Sequence, residues 1–348
     1  MKNLILTFTI LIILFKTGNV LSDTDIFNVN NVEVSKEISK NKQKLVDEAF
    51  KLAYDKLINR LLLEKDYKKI NNTNLSEIKK LISYYQIIKP DEKIKKEKNM
   101  NLNIFFDKAS VHKFFYLEDI LYSDITNTEV IIFPLLKKKQ KYFIYTKNYF
   151  YENWKKENDN NLIQYNLPVE NIENLEEINL RKENIYKLNI SDFFKEYEKA
   201  NIVFAIIEIK EKTAEIFLNS RVEGKKIKKT ISILKEESLS NNNFYKNVIT
   251  QINNVIEDLI KSQNLIDVRT PSFLNVKIEL SNNTNLFEFD KRLKEVDLID
   301  AYYVQQLNKD HVLIKIKYLG KIQKIIRKLK EQNISLKMAN GQWQIKIS

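Results

Sequence analysis

The sequence has no cysteine, 4 glycines, 4 prolines and 2 histidines among 348 residues. Without cysteine there is no disulfide and no lipid-modified N-terminal cysteine, so the chain must hold itself together by burial alone. So little glycine leaves no glycine-rich phosphate loop and no G-x-S-x-G turn for a serine nucleophile. Two histidines are a poor supply of general bases or metal ligands. His112 sits among apolar neighbours and His311 opens a strand. Neither has a histidine, cysteine or carboxylate at the spacing of an HExxH or paired-cysteine site. The carboxylate pairs Glu176-Glu177 and Glu236-Glu237 are adjacent in sequence and point apart on a helix or strand. No catalytic, cofactor-binding or metal-binding residue is assigned, and no cofactor is expected.

Long apolar runs are also scarce, with one exception at the start. Lys2 precedes an apolar run from Leu4 to Phe15 that only Thr7 and Thr9 interrupt, and small residues follow to Val20-Leu21-Ser22. That layout predicts a secretory signal peptide, residues 1–22, cleaved after Ser22. The competing reading is an uncleaved anchor, but a membrane span needs about 20 apolar residues and Lys16 stops this run short. No later run is long enough to cross a bilayer. The formal charge of +12 falls to +10 when Lys2 and Lys16 leave with the leader. A basic chain is drawn to anionic surfaces. Lys, Asn, Ile, Tyr and Phe are the residues of A/T-rich codons, however, and a genome-wide base bias accounts for the charge as readily.

Hydropathy spacing then lays out the elements. Ile26 to Val34 reads as a strand with a one-residue slip at Asn30-Asn31, a candidate β-bulge. Glu37 to Leu63 reads as a long amphipathic helix capped by Ser35, and Asp66 to Asn74 as a polar turn. Leu75 to Leu81 is a short helix. Strands Tyr84 to Ile88 and Asn101 to Phe106 flank a charged hairpin tip at Pro90 to Lys98. The first unit, 23–107, is β-α-α-β-β. A helix from Ala109 to Leu121 opens the second unit, 108–265. Glu129 to Leu136 is apolar enough for a central strand with Pro134 at its end. Tyr142 to Thr146 is a strand and Asn148 to Glu157 a helix. Asn158 to Leu188 carries no clear period, and a short helix runs from Ser191 or Asp192 to Lys199. Strands follow at Ile202 to Ile209, Ala214 to Arg221 and Lys226 to Leu234, the last hairpin turning at Glu223-Gly224. Phe244 to Ile260 is an amphipathic helix.

A linker at 266–273 leads to the third unit, 274–348. Its order is strand Val276 to Leu280, helix Leu286 to Val296, strands Ile299 to Leu307 and His311 to Leu319, helix Lys321 to Gln332, strand Ile334 to Met338 and strand Trp343 to Ile347. This βαββαβ order plus a final strand predicts a ferredoxin-like sandwich. The fold class is α+β or α/β, built of serial small sheet-and-helix modules.

The densest mixed chemistry is Lys137 to Trp154, where Lys137, Lys138, Lys139, Lys141 and Lys147 interleave with Tyr142, Phe143, Tyr145, Tyr149, Phe150, Tyr151 and Trp154. As a surface it would stack on sugars or bases and hold anions; as a strand and helix its aromatics are core and its lysines solvated. A second basic cluster, Lys225 to Lys229, straddles a hairpin tip and blunts an edge strand.

Phe27-x-Val29-x-x-Val32-x-Val34 leads into the Ala49/Ala53 helix. Asn101-Leu-Asn-Ile-Phe-Phe-Asp107, Ile131-Ile-Phe-Pro-Leu135, Leu167-Pro-Val, Ala200-Asn-Ile-Val-Phe-Ala205 and Gly341-x-Trp343 follow in order. In this succession the chain resembles the bacterial secreted family catalogued as domain of unknown function 2066. The resemblance implies an exported protein and carries over no functional residues. The expectation is a periplasmic, non-enzymatic accessory or interaction protein of a Gram-negative envelope. Its partner would be an envelope protein or an anionic envelope polymer, and no nucleic acid is expected. The alternatives are anionic glycan or lipid binding through the Lys137 to Trp154 surface, and an enzyme without a recognisable motif.

Overall fold

The computed structural model describes residues 26–39, 41–88, 98–154, 162–190, 197, 200–280, 286–339 and 341–347. The expected leader, most of the charged hairpin tip at 90–98, the end of the helix expected to Glu157 and most of the helix expected at 191–199 lie outside them. The first unit begins with strand β1 (Asn28–Ser35) and helix α1 (Lys42–Leu61). The expected bulge is present: the register shifts between Val29 and Val32, and Asn31 takes a left-handed φ of 55°. Its N–H is met by Asn103 Oδ1 at 3.0 Å. The slip puts Phe27, Val29, Val32 and Val34 all in the core.

Helix α1 starts five residues later than its spacing predicts. Lys36 and Glu37 turn instead, with Ser35 Oγ accepting from Glu37 N, and Ile38 is 62% exposed. Asn41 is the true cap, its side chain accepting from Gln43 N and Lys44 N. At the far end Leu61, Leu62 and Leu63 are all buried. Three successive residues 100° apart cannot share one stripe of a straight helix, so the chain goes extended at Leu62 and restarts as α2 (Glu64–Ile70). A second helix thus replaces most of the expected polar turn. Next come α3 (Leu75–Leu81), β2 (Ile82–Ile88) and β3 (Asn99–Phe106), in a sheet of order β1-β3-β2. Helix α1 lays Leu45, Ala49, Phe50, Ala53, Leu57 and Ile58 onto it, each large apolar side chain contributing about 1.5–3 kcal/mol. Helix α4 (Lys108–Leu117) and the two-residue strand β4 (Tyr122–Ser123) follow.

The second sheet has six strands. Strands β5 (Thr128–Lys138) and β6 (Lys141–Phe143) form a hairpin; helix α5 (Tyr149–Asn153), strand β7 (Ile163–Asn166) and helix α6 (Ile172–Leu180) come next. Strands β8 (Asn201–Ile209), β9 (Thr213–Val222) and β10 (Lys225–Leu234) and helix α7 (Asn241–Gln263) complete it. The order is β10-β9-β8-β5-β6, with β7 also against β5. As expected, β5 is central and buried, but Pro134 lies in its interior, opposite Ala205, not at its end. It is accommodated because β7 pairs only as far as Ile131 and β6 starts at Leu136, leaving a gap in the ladder. Asn148, fully buried, closes that gap: its Nδ2 donates to the carbonyls of Pro134 (2.8 Å), Ile144 (2.7 Å) and Phe143 (3.0 Å), while its Oδ1 caps α5. One face of the sheet carries α5 and α7, and the other packs the α6 segment and the 3₁₀ turn Lys182–Lys187. Strand β7, helix α6 and this turn occupy the stretch whose sequence has no clear period.

Strand β11 (Leu265–Ile266) pairs with β4 and leads into the last unit. That unit is β12 (Ser272–Glu279), α8 (Leu286–Lys294), β13 (Ile299–Leu307), β14 (His311–Tyr318), α9 (Ile322–Glu331), β15 (Ile334–Ala339) and β16 (Gln342–Ile347). The element order matches the expectation; the strand order does not follow a ferredoxin-like sheet. There the fourth strand lies beside the first and antiparallel to it. Here the sheet runs β13-β14-β12-β16-β15, and β16 lies parallel to β12. The final tight turn, with Gly341 at φ 75°, folds β16 back inside β15, burying Ile345 and leaving Met338 exposed at the edge. The fold as a whole is mixed α+β with several small sheets and helices.

The first and last units share one apolar cluster with α4 and β4, which runs from Phe27 through Val111, Phe115 and Tyr122 to Leu274, Ile316 and Ile325. Polar joints reinforce it. Lys261, buried on α7, bonds the carbonyls of Asn59 and Leu62 at the end of α1 and pairs with Glu257. An ammonium there meets the negative end of the helix dipole. Asp258 accepts from Glu64 N at 3.1 Å. Lys324 of α9 pairs with Asp124, and Arg269 binds both Asp267 and Asp119.

Candidate functional site

The structure does not assemble the Lys137 to Trp154 stretch into a stacking surface. Tyr145, Phe150 and Trp154 are buried, and the chain divides its aromatics between the two cores flanking the central sheet. Tyr151 donates to Pro168 O at 2.9 Å, and Tyr149 packs on Tyr245 with centroids 5.2 Å apart. Lys137 pairs with Glu208 at 3.0 Å and Lys138 lies over the Tyr245 ring. The cause is periodicity: strand, turn and capped helix send these rings inward whatever their density in the sequence. Lys225 to Lys229 lies on edge strand β10, where Lys226 bonds Asn189. The turn before it has Glu223 and Gly224 at φ 49° and 77°, the left-handed pair of a two-residue hairpin.

The basic-aromatic chemistry that the sequence places at Lys137 to Trp154 occurs instead on the last sheet. Strand alternation divides that sheet sharply. Leu274, Val276, Ile278, Val312, Ile314 and Ile316 face helices α8 and α9. The intervening residues face away, and none of them belongs to an apolar core among the described residues. Phe273 and Tyr303 stand on this open face at 53% and 55% exposure. Phe273 lies opposite Lys317, and Tyr303 opposite Lys315. The Lys315 ammonium sits 4.4 Å from the Phe273 ring centroid, close enough for cation–π attraction. The two rings are on strands that flank β14 and lie roughly 10 Å apart, with Lys315 on the strand between them. Toward the other edge the pairing Lys337–Gln344–Lys277–Leu313 forms a row across four strands, and Lys346 lies beside it, opposite Ser335. Asp300 meets Lys317 at 2.6 Å and Glu279 lies 3.7 Å from Lys277; the lysines outnumber these acids. No short motif marks this face, because it exists only once β12, β13 and β14 are in register.

A second cluster sits at the joint between first and last units. His112 Nε2 is 3.1 Å from the Tyr122 hydroxyl, and its ring meets Phe27 edge-on at 5.5 Å. Burial, helped by the nearby Lys108 charge, pushes His112 down to about 4, against the pull of Asp300 and Asp107. Burial likewise raises Asp297 from its ordinary carboxylate value. At neutral pH His112 is therefore an uncharged packing group and a weak base. His311 lies at its hairpin within 3.3 Å of Asn308. Among the described residues no three His, Cys, Asp or Glu side chains come together to hold a metal ion, and no helix is long and apolar enough to cross a membrane.

No family model, curated protein or solved structure matches the chain.

Proposed function

We propose that this protein is an exported accessory protein of a Gram-negative envelope, of the domain of unknown function 2066 kind, which works by binding and not by catalysis. The observation that carries the reading is where several of its buried ionisable groups go. Lys261 ties α7 to the end of α1, Lys324 and Asp124 tie α9 to the segment after β4, and His112 packs on Tyr122. These groups fix one element to another. The apolar leader-like start supports export, and the open basic-aromatic sheet face supports a binding role. The lysine-rich composition favours an anionic envelope component as partner.

Export is tested by expressing the tagged chain in a Gram-negative host and sequencing the recovered protein. The expected product is periplasmic and begins at Asp23. A cytoplasmic product that keeps residues 1–22 overturns the reading.

A further inference from the structure

We propose that the open face of the last sheet is a binding site for an acidic polysaccharide, a chain of sugar rings carrying carboxylates. The proposal rests on the reading of the protein as an exported binding protein and assigns its surface and ligand class. Phe273 and Tyr303 offer flat apolar faces in a layer that is mostly polar, and a sugar ring has an apolar C–H face to lay against each. Lys315 lies between them and meets no carboxylate among the described residues. A carboxylate on a ring stacked at either aromatic would therefore fall within its reach. Lys277, Lys337 and Lys346 extend the positive charge from this centre toward β15, so a linear polyanion crossing the strands meets ammonium groups along its length.

The cations named on this face are all lysines, compact point charges that hold carboxylate and phosphate alike. The choice of a polysaccharide over a nucleic acid follows from the exported reading on which the proposal rests. The shape agrees as well: a face of five strands is broad and shallow, suited to an extended chain more than to a single small molecule.

The test is calorimetric titration of the purified full chain with polygalacturonate, with neutral dextran and with single-stranded polyuridylate, at low and high salt. The expected result is binding of polygalacturonate that weakens with salt, no binding of dextran, and weaker binding of polyuridylate. Lys315→Glu and Phe273→Ala should each weaken polygalacturonate about tenfold, equivalent to about 1.4 kcal/mol. Lys226→Glu on β10 should change it less than twofold. All three positions are on the surface, and circular dichroism verifies that each variant folds. No binding of polygalacturonate, tighter binding of polyuridylate, or equal loss in the β10 variant overturns the site. Each of these outcomes leaves the fate of residues 1–22 untouched, so failure here is separable from failure of the export reading.

Discussion

At the scale of single residues, His112 makes the sharpest prediction. Its folded pKa of about 4 lies below the 6.5 of an exposed imidazole. Between these values the unfolded chain takes up a proton that the folded chain refuses, so stability is complete above about pH 6.5 and falls as pH drops toward 4. The loss attributable to this residue is about 2 kcal/mol at pH 5. Carboxylates titrate in the same range, so the measurement is a difference. Urea unfolding of wild type and His112→Gln at pH 8 and pH 5 should show the glutamine variant losing less stability on acidification by about that amount. Equal losses would mean that His112 is hydrated in the folded state. His112 also shows what a sequence leaves unsaid. Its apolar neighbours mark it as structural, but its partner Tyr122 is ten positions on and becomes a neighbour only once α4 turns back on β4.

At the scale of elements, the join of β5, β6 and α5 depends on one side chain. Asn148 shares its two amide N–H donors among three strand and turn carbonyls and offers an acceptor to the helix it caps. Asn148→Ala removes both and should cost about 3 kcal/mol. Asn148→Asp keeps the cap but turns its oxygens toward three carbonyls, and should be worse than alanine despite its closer shape. Thermal unfolding ranks the two; an aspartate variant more stable than the alanine variant would refute this account. Elements with strict alternation, such as β14 and β12, are legible because one face is buried and the other is not. The long first helix is legible in its middle and not at its ends. Ile38 fits the stripe by spacing yet lies beyond the Asn41 cap, and Leu61 to Leu63 could not all be buried without a break. Pro134 misleads for a related reason: the rule that proline ends a strand assumes that both neighbouring ladders are complete. The open face of the last sheet was hidden because Phe273 and Tyr303 are 30 positions apart, and only the strand order β13-β14-β12 brings them to one surface. The Lys137 to Trp154 run was conspicuous because its residues are contiguous, and that says nothing about what covers them.

At the scale of the whole molecule, the core of the first sheet is incomplete without the last unit. Val111, Phe115 and Tyr122 pack in one cluster with Leu274, Leu298 and Ile316, while the central sheet keeps its own cores. A chain stopped after Ile266 should therefore retain the central sheet and loosen the first. Hydrogen exchange should show amides of β1 and β3 losing protection in that truncation, while those of β8 and β9 keep it. Unchanged protection in β1 and β3 would show that the first sheet is self-sufficient. The shared cluster also sets an order of events for a chain made from its N-terminus. Its earliest apolar residues find their last neighbours only when the final strands arrive. Throughout that interval Phe115 and its companions are a sticky surface awaiting a lid, and a long wait invites aggregation. Such a chain depends on being kept apart from its own copies until its tail is made.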